Sequence, residues 1–457
     1  MFPGSREELK IGMRLAIAGA YTRQHLKRIA YGIDKTGKLD YDTAHKTYYS
    51  YENNMNNMKR HKRQITYCRI VTGKNRKKTY TKEYRKYRIR GRVEYRMVSI
   101  NTPEIYINEP GAIHKVADYT ELAIGEGRKK AYIIWSKTPR SLVKEALDED
   151  FGQKGIAYEE QLFEGFPTDA KARSYAEEAK AAGAEVILGV GGGRVMDVTK
   201  AAGTYSGLPV ITVPTIAATC AAWAAVSIIY TDQGDFDKFL FNPKSAKYIV
   251  ADTDIIAKAP VRYLKAGIVD TFAKWYEPVY RETPSFTMQI STHTAKLAFD
   301  FLRTKGPQVV EQAETGIVND DTIAAVDAII YLAGNIGSFV GKEAFSGLAH
   351  PFYHSSRRYH STYIRLHGEI VAFALVVQGI YEERSREEIA ERIRILRKFD
   401  NTYTLEELGL SEEEQLITIA ERMQSEFEGK QVTDEETAKL VAAMKETDRR
   451  IKEMREA

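Results

Sequence analysis

Apolar and polar residues follow three different patterns along this 457-residue chain. Up to Met97, apolar residues thin out after Ala30 and no period of 2 or 3.6 is sustained. From Met97 to about Pro260, short apolar runs alternate with amphipathic segments. PEIYINEPGAIHKVADY predicts a strand and a short helix, KKAYIIWS (130–136) a buried strand, SLVKEALDEDF a helix, and IAYEEQLFEGF (156–166) a strand. TDAKARSYAEEAKAAGA predicts a helix with Thr168 as its N-cap and Gly183 beyond its end. EVILGV, LPVITVPT (208–215) and KYIVADTDII (247–256) predict further strands. Strands alternating with helices imply βαβ units and a parallel, Rossmann-like sheet. After about Pro260 the strand signals stop. Long amphipathic helices follow, with capping boxes expected at Thr404–Glu407, Ser411–Glu414 and Thr433–Glu436. The expected architecture is an α/β cofactor domain over 97–260 and an all-α domain over 261–457, with a cleft between them.

Charge separates the first segment from the rest. Residues 1–96 carry 25 Lys/Arg against 8 Asp/Glu, whereas 97–457 carry 42 against 54. The leader also holds eleven of the 28 tyrosines. Such a segment buries too little apolar surface to offset its ordering entropy. It reads as a poorly ordered extension, as translated upstream sequence ahead of a start at Met97, or as a nucleic-acid-binding arm that neutralises phosphates and stacks tyrosines on bases. Two cysteines, Cys68 and Cys220, exclude a disulfide scaffold and fit a reducing compartment. The N-terminus makes a poor secretory signal, and no stretch of about 18 uncharged apolar residues suggests a membrane span. The cytoplasm is the expected location.

Two constellations carry chemistry. The first is EVILGVGGGRVMD, an apolar run that ends in Gly191, Gly192 and Gly193 and restarts as a helix carrying Asp197 and Lys200. Glycines let the backbone approach a phosphate, and a helix N-terminus offers free N–H groups and a positive dipole end. The strict G-x-G-x-x-G spacing is absent, so a plain tight turn is the alternative. The second lies in the helical half. KAGIVDTFAKWYE places Asp270 at an otherwise apolar helix start, and His350, His354, His360 and His367 fall within eighteen residues. His350 and His354 share a helix face. Two imidazoles and a carboxylate suit a divalent metal with open positions for substrate. The alternatives are a polar helix surface and a capping Asp.

GVGGGRVMDVTK, VPTIAATCAAWAAVSIIYTDQG, VADTDIIAKAPVRYLKAGIVDTFAKWYE and HGEIVAFAL, in that order, resemble the iron-containing alcohol dehydrogenase superfamily. The likeness covers 97–457, is nearest to the glycerol dehydrogenase branch, and in TIAATCAAW and AGIVDTFAKWYE is similar to its hydroxycarboxylate dehydrogenases. It implies a dehydroquinate synthase-like architecture and a metal-dependent hydride transfer with NAD(P)(H). It places Asp270, His350 and His367 on the metal ligands, and His354 near the nicotinamide and substrate. It places Gly191, Gly192, Gly193, Arg194, Val195 and Asp197 on the pyrophosphate turn. Thr215, Ala218 and Thr219 fall on a cofactor loop, and Val226 and Tyr230 on the nicotinamide side. The metal is zinc in glycerol dehydrogenases and iron in other branches.

Two departures refine the expectation. Glycerol dehydrogenases carry an aspartate at the position of Cys220. A neutral thiol there removes a repulsion of roughly 4 kcal/mol toward a substrate carboxylate about 4 Å away, at an effective dielectric near 20. This favours reduction of a 2-oxo acid over oxidation of glycerol; a small buried residue is the alternative for Cys220. At Ser136, NAD-selective members carry an aspartate for the ribose hydroxyls. Its absence, with Lys137 and Arg140 nearby, favours NADP(H). Lys274, one turn after Asp270, is a candidate for the substrate carboxylate or a plain ion pair. Arg357 and Arg358 are further candidates for that role, and Trp223 is either a pocket wall or core. The expected partners are a small carbonyl or hydroxy acid and further copies of this chain, with no membrane. A polyol dehydrogenase is the competing activity, and a dehydroquinate synthase-type lyase a more distant one.

Overall fold

The computed structural model describes residues 100–457 except 128, 278–285, 341–346, 427–430 and 457. Readings that concern residues 1–96, including the nucleic-acid arm, lie outside the described residues. Eight strands are present among the described residues: β1 Ile105–Glu109, β2 Lys130–Trp135, β3 Ala157–Leu162, β4 Val186–Gly191, β5 Val210–Pro214, β6 Val226–Tyr230, β7 Phe236–Phe241 and β8 Tyr248–Asp252. Between and after them run helices α1 Val116–Ile124, α2 Lys137–Lys154, α3 Asp169–Ala181, α4 Gly193–Ser206, α5 Thr253–Lys258, α6 Val261–Tyr276, α7 Phe286–Glu314, α8 Asp320–Asp327, α9 Ala333–Val340, α10 Ala349–Ser356, α11 His367–Tyr381, α12 Arg386–Arg397, α13 Leu405–Leu408, α14 Glu413–Ser425 and α15 Asp434–Glu456.

Six strands form one parallel sheet in the order β1-β8-β5-β4-β2-β3. Its central strand β4 is buried at every position because helices cover both faces. Successive side chains still alternate between faces. Val186, Leu188 and Val190 pack with Phe151 and Leu147 of α2 on one side. Ile187 packs with Met196 and Val198 of α4 on the other. That second core continues without a break into the helical half through Ile268, Phe272 and Phe373.

Several local expectations hold. Thr168 caps α3 by accepting Lys171 N–H at 3.2 Å, and Thr404 caps α13 reciprocally with Glu407. Others need correction. The run 247–256 is not one strand: it stops at Asp252, whose carboxylate accepts the N–H groups of Asp254 and Ile255 and starts α5. The box placed at Ser411–Glu414 is formed one residue later, by Glu412 and Gln415. At Thr433 the hydroxyl accepts Glu436 N–H, but the Glu436 carboxylate takes the Tyr381 hydroxyl. The antiparallel hairpin β6–β7 was not expected. Asp320–Phe339 is long and apolar enough to cross a membrane, yet half of it is buried in the helical half. Its Asp327 accepts the Tyr106 hydroxyl at 2.8 Å and the Asn108 amide at 2.9 Å, which ties it to β1.

Candidate functional site

Asp270 sits in the middle of α6, not at a helix start. The helix begins at Val261 behind Pro260, and the residues around Asp270 are buried on all sides. Two glycines allow the close packing that surrounds it. A Cβ on Gly267 would stand 2.0 Å from the carbonyl oxygen of Ala217, and a Cβ on Gly368 would stand 2.0 Å from that of Ala266. Their absence lets the 215–219 loop and the first turn of α11 lie directly on α6. The α11 entrance is clamped as well: Glu369 accepts Leu366 N–H at 2.9 Å and a bidentate pair from Arg262 of α6.

That packing brings three donors together. Asp270 Oδ1 is 3.0 Å from His367 Nε2 and 3.7 Å from His350 Nε2, and the three candidate ligand atoms lie within 4.8 Å of one another. Burial alone would raise the Asp270 carboxyl, but Lys274 and then His367 hold it well below the usual carboxylate range. His367 is pushed down by burial, which leaves its imidazole neutral and available as a ligand. One carboxylate and two imidazole nitrogens suit zinc and iron alike, so the donor set fits a divalent metal without choosing between them.

Glu277, two helical turns after Asp270, was not singled out in the sequence. Its carboxylate is buried; Oε2 meets His350 Nδ1 at 2.6 Å, and Oε1 accepts the N–H groups of Ala349 and His350 at 3.1 and 3.2 Å. It therefore fixes the ring, the tautomer and the start of α10 together, with Nε2 turned to the cluster. The signal was present, since a residue seven positions on returns to the same helix face. Glu277→Gln is expected to weaken metal affinity by about 10- to 100-fold while the fold persists, a result readable by metal titration beside circular dichroism.

Lys274 is buried next to the same atoms. Its Nζ is 3.8 Å from Asp270 Oδ1 and 3.2 Å from His350 Nε2. Burial works against its charge, but Asp270 and Cys220 outweigh this and raise it. Cys220 is held up by burial first, with Lys274 opposing, so the thiol stays protonated at neutral pH. This disfavours a nucleophilic role. His354 is one turn from His350. Its ring stacks on Phe236 of β7 at 4.4 Å, and Nδ1 lies 3.2 Å from Glu426 Oε2. Burial pushes its pKa down. Tyr353 packs edge-on to His367 at 4.2 Å, and its hydroxyl meets that of Tyr230 at 3.2 Å.

The glycine turn lies at the carboxyl end of the sheet, as ligand sites in parallel sheets do. Pairing of β4 with β2 and β5 puts Ser136 and Pro214 on either side of Gly191, with Thr215 N–H donating to Gly191 O at 3.1 Å. Helix α4 starts at Gly193 with no side-chain capping bond. A Cβ on Gly193 would meet the Thr219 hydroxyl at 3.2 Å, so the loop overhangs a bare helix N-terminus. Asp197 and Lys200 point the other way, into the protein. They pair at 3.3 Å, and Lys200 donates to Ala224 O and Val226 O, which anchors the hairpin. Burial pushes Asp197 up to about 6. Arg194 lies over Phe166 at 4.4 Å.

Three minor readings resolve. Trp223 is core, against Tyr106 and Tyr331. Arg358 is exposed, whereas Arg357 is buried. Arg140 is engaged by Glu160 at 2.9 and 2.7 Å, which leaves Lys137 as the exposed cation beside Ser136.

Comparison with known proteins agrees with this geometry. Residues 103–253 match the family model of iron-containing alcohol dehydrogenase. Hydroxycarboxylate dehydrogenase A from Escherichia coli K12 is 31% identical over 281 residues, which cover 61% of this chain and 76% of that one. A glycerol dehydrogenase from Pseudomonas putida is 28% identical over 322 residues, covering 69% and 86%. In fold, the chain resembles a probable glycerol dehydrogenase from Sinorhizobium meliloti, with a TM-score of 0.69 at 23% identity over 78% of this chain and 100% of that one. The chain belongs to the iron-containing alcohol dehydrogenase family and is an oxidoreductase of that family.

Proposed function

We propose that this protein is a metal-dependent NAD(P)(H) oxidoreductase that reduces a 2-oxo acid to the 2-hydroxy acid, with the cytoplasm as its compartment. Asp270, His350 and His367 would hold the metal, which when bound supplies electrophilic stabilisation of negative charge developing on the substrate oxygen. The cofactor pyrophosphate would rest on Gly191–Gly193 and the start of α4, beneath Thr219, with its nicotinamide toward Val226 and Tyr230.

The observation that carries the substrate class is the buried Lys274 beside Asp270, with the half-buried thiol of Cys220 as its electrostatic neighbour. A cation and a neutral thiol at that point attract a substrate carboxylate, whereas a second carboxylate would repel it. Lys274 Nζ, 3.2 Å from His350 Nε2, would hold the C1 carboxylate of a substrate bound beside these donors. His354, neutral and turned by Glu426, stands within the helix face that carries His350 and can pass a proton to the product oxygen.

The deciding experiment compares NADPH and NADH oxidation with 2-oxobutyrate and 2-oxoglutarate against NAD reduction with glycerol, on protein of measured metal content. Activity on glycerol and none on 2-oxo acids would replace this reading with a polyol dehydrogenase, the activity for which several relatives are named. The lean to NADP(H) rests on Ser136, which offers no carboxylate to the ribose. Ser136→Asp is expected to raise KM for NADPH by about 100-fold relative to NADH, because the new charge lies against the 2′-phosphate. An unchanged KM ratio would place the 2′ position elsewhere.

A further inference from the structure

Arg357 is the buried charge that the mechanism above leaves unused. Its side chain is 1% exposed. Nη1 donates to Thr362 O at 3.1 Å, but Nε and Nη2 are buried and have no hydrogen-bond partner among the described residues. Among the described residues no carboxylate lies within ion-pair distance of it. Two aromatic rings face it instead: Tyr363 at 4.0 Å and Tyr353 at 5.9 Å from the guanidinium carbon. Rings offset part of a cation's desolvation, but they give the N–H groups no acceptor. An Arg buried in this state is costly relative to an apolar side chain of the same volume. Retaining it is unfavourable for the free protein, and an anion that completes it would repay that cost.

Its place in the fold argues the same. His350, His354 and Arg357 are spaced i, i+4, i+7, so they form one stripe about 10 Å long along α10 and the residue that follows it. Tyr353 stands between Arg357 and His367, with its ring 4.2 Å from the imidazole. On the other side, Tyr363 covers the guanidinium and reaches β6–β7 by donating its hydroxyl to Gln233 O at 2.7 Å. Tyr363 also packs on Phe166 at 5.5 Å, the ring on which Arg194 of the glycine turn lies. Arg357 is thus one ring removed from the metal donors and two rings removed from Arg194.

We propose that the Nε–Nη2 edge of Arg357 is an oxyanion subsite, covered by Tyr363 in the free protein and filled when substrate or cofactor binds. The recognised chemistry is an oxyanion able to accept two parallel N–H groups, which a guanidinium fork holds in bidentate fashion. A carboxylate of the substrate and a phosphate of the cofactor both carry it; the Lys274 ammonium, a point charge 3.2 Å from His350 Nε2, offers no such fork. The subsite does not depend on which carbonyl is reduced.

The test uses the full chain with its metal bound, and succinate and inorganic pyrophosphate as probes, titrated by calorimetry against wild type, Arg357→Met and Arg357→Lys. At least a tenfold loss of affinity for one probe in both variants is expected, and the probe affected identifies the source as carboxylate or phosphate. Arg357→Lys keeps the charge and removes the fork, so it answers the question if the methionine variant does not fold. A second readout separates ligand binding from support of the fold: Arg357→Met should leave Tm of the free protein unchanged or higher. Affinities for both probes that match wild type in Arg357→Lys, or no binding of either probe by wild type, would overturn the proposal. Either result leaves the 2-oxo acid reading to the substrate panel, which does not use these variants.

Discussion

Replacing His367 by alanine is expected to strip the metal from the protein and lower kcat/KM by about a thousandfold or more. The magnitude follows from charge stabilisation at the reacting oxygen, which is worth roughly 4 kcal/mol or more in such sites. His367 Nε2 lies 3.0 Å from Asp270 Oδ1, and its loss leaves one carboxylate and one imidazole, too few to hold a divalent ion against water. The fold should survive. His367 is the first residue of α11, and the clamp of that helix onto α6 runs through Glu369 and Arg262 instead. Its side chain is also 22% exposed, so little packing is removed. Metal content by mass spectrometry, Tm and kcat/KM measured together give the check: metal and activity fall while Tm of the metal-free forms stays level. A metal-free His367→Ala that turned over at the normal rate would sink the metal assignment. Glu277→Gln should fall between it and wild type, because it loosens a ligand without removing one.

The parts of the fold that could be read from residues are those where burial is uniform. Strand β4 is covered on both faces and so appears as an unbroken apolar run, with the glycines marking its end. The Thr168 cap could be read because it is local chemistry. The hairpin β6–β7 could not, because β7 is half exposed and Phe236, Phe239 and Phe241 follow no clean alternation. Sheet order was equally hidden: β1 pairs with β8, and Ile105 opposite Tyr248 is a contact that no local pattern encodes. In the site, Asp270, His350 and His367 carry their chemistry in their residue types, and the structure brings all three together. The apolar run that begins near Ala266 makes Asp270 look like a helix start, whereas Pro260 sets the start six residues earlier. Glu277 was missed since it acts through His350, and Arg357 stands out only once its neighbours are known to be rings.

A single methyl group at Gly368 is expected to do nearly as much damage as the loss of a ligand. Its Cβ would stand 2.0 Å from the oxygen, 2.7 Å from the carbon and 3.0 Å from the Cα of Ala266. All three are backbone atoms of α6, so no rotamer change relieves the clash. Helix α11 must withdraw, and His367, its neighbour in sequence, withdraws with it. Overpacking of this kind costs about 1–3 kcal/mol, and here it acts at a close contact that, beside the Arg262–Glu369 clamp, sets the His367–Asp270 distance. Gly368→Ala should therefore lower Tm by several degrees and weaken metal binding in the same protein. Gly337→Ala is the control, because a Cβ there meets nothing within 4 Å among the described residues. In that helical position alanine is expected to be neutral or stabilising by up to about 1 kcal/mol. The two substitutions add the same atom to two helices, and only one of those helices has its first turn resting on the backbone beside Asp270. If Gly368→Ala kept wild-type Tm and metal affinity, the approach of α11 to α6 would not be what assembles the three donors. The assembly would then have to come from the Arg262–Glu369 clamp alone, and Arg262→Ala would become the variant that loses the metal.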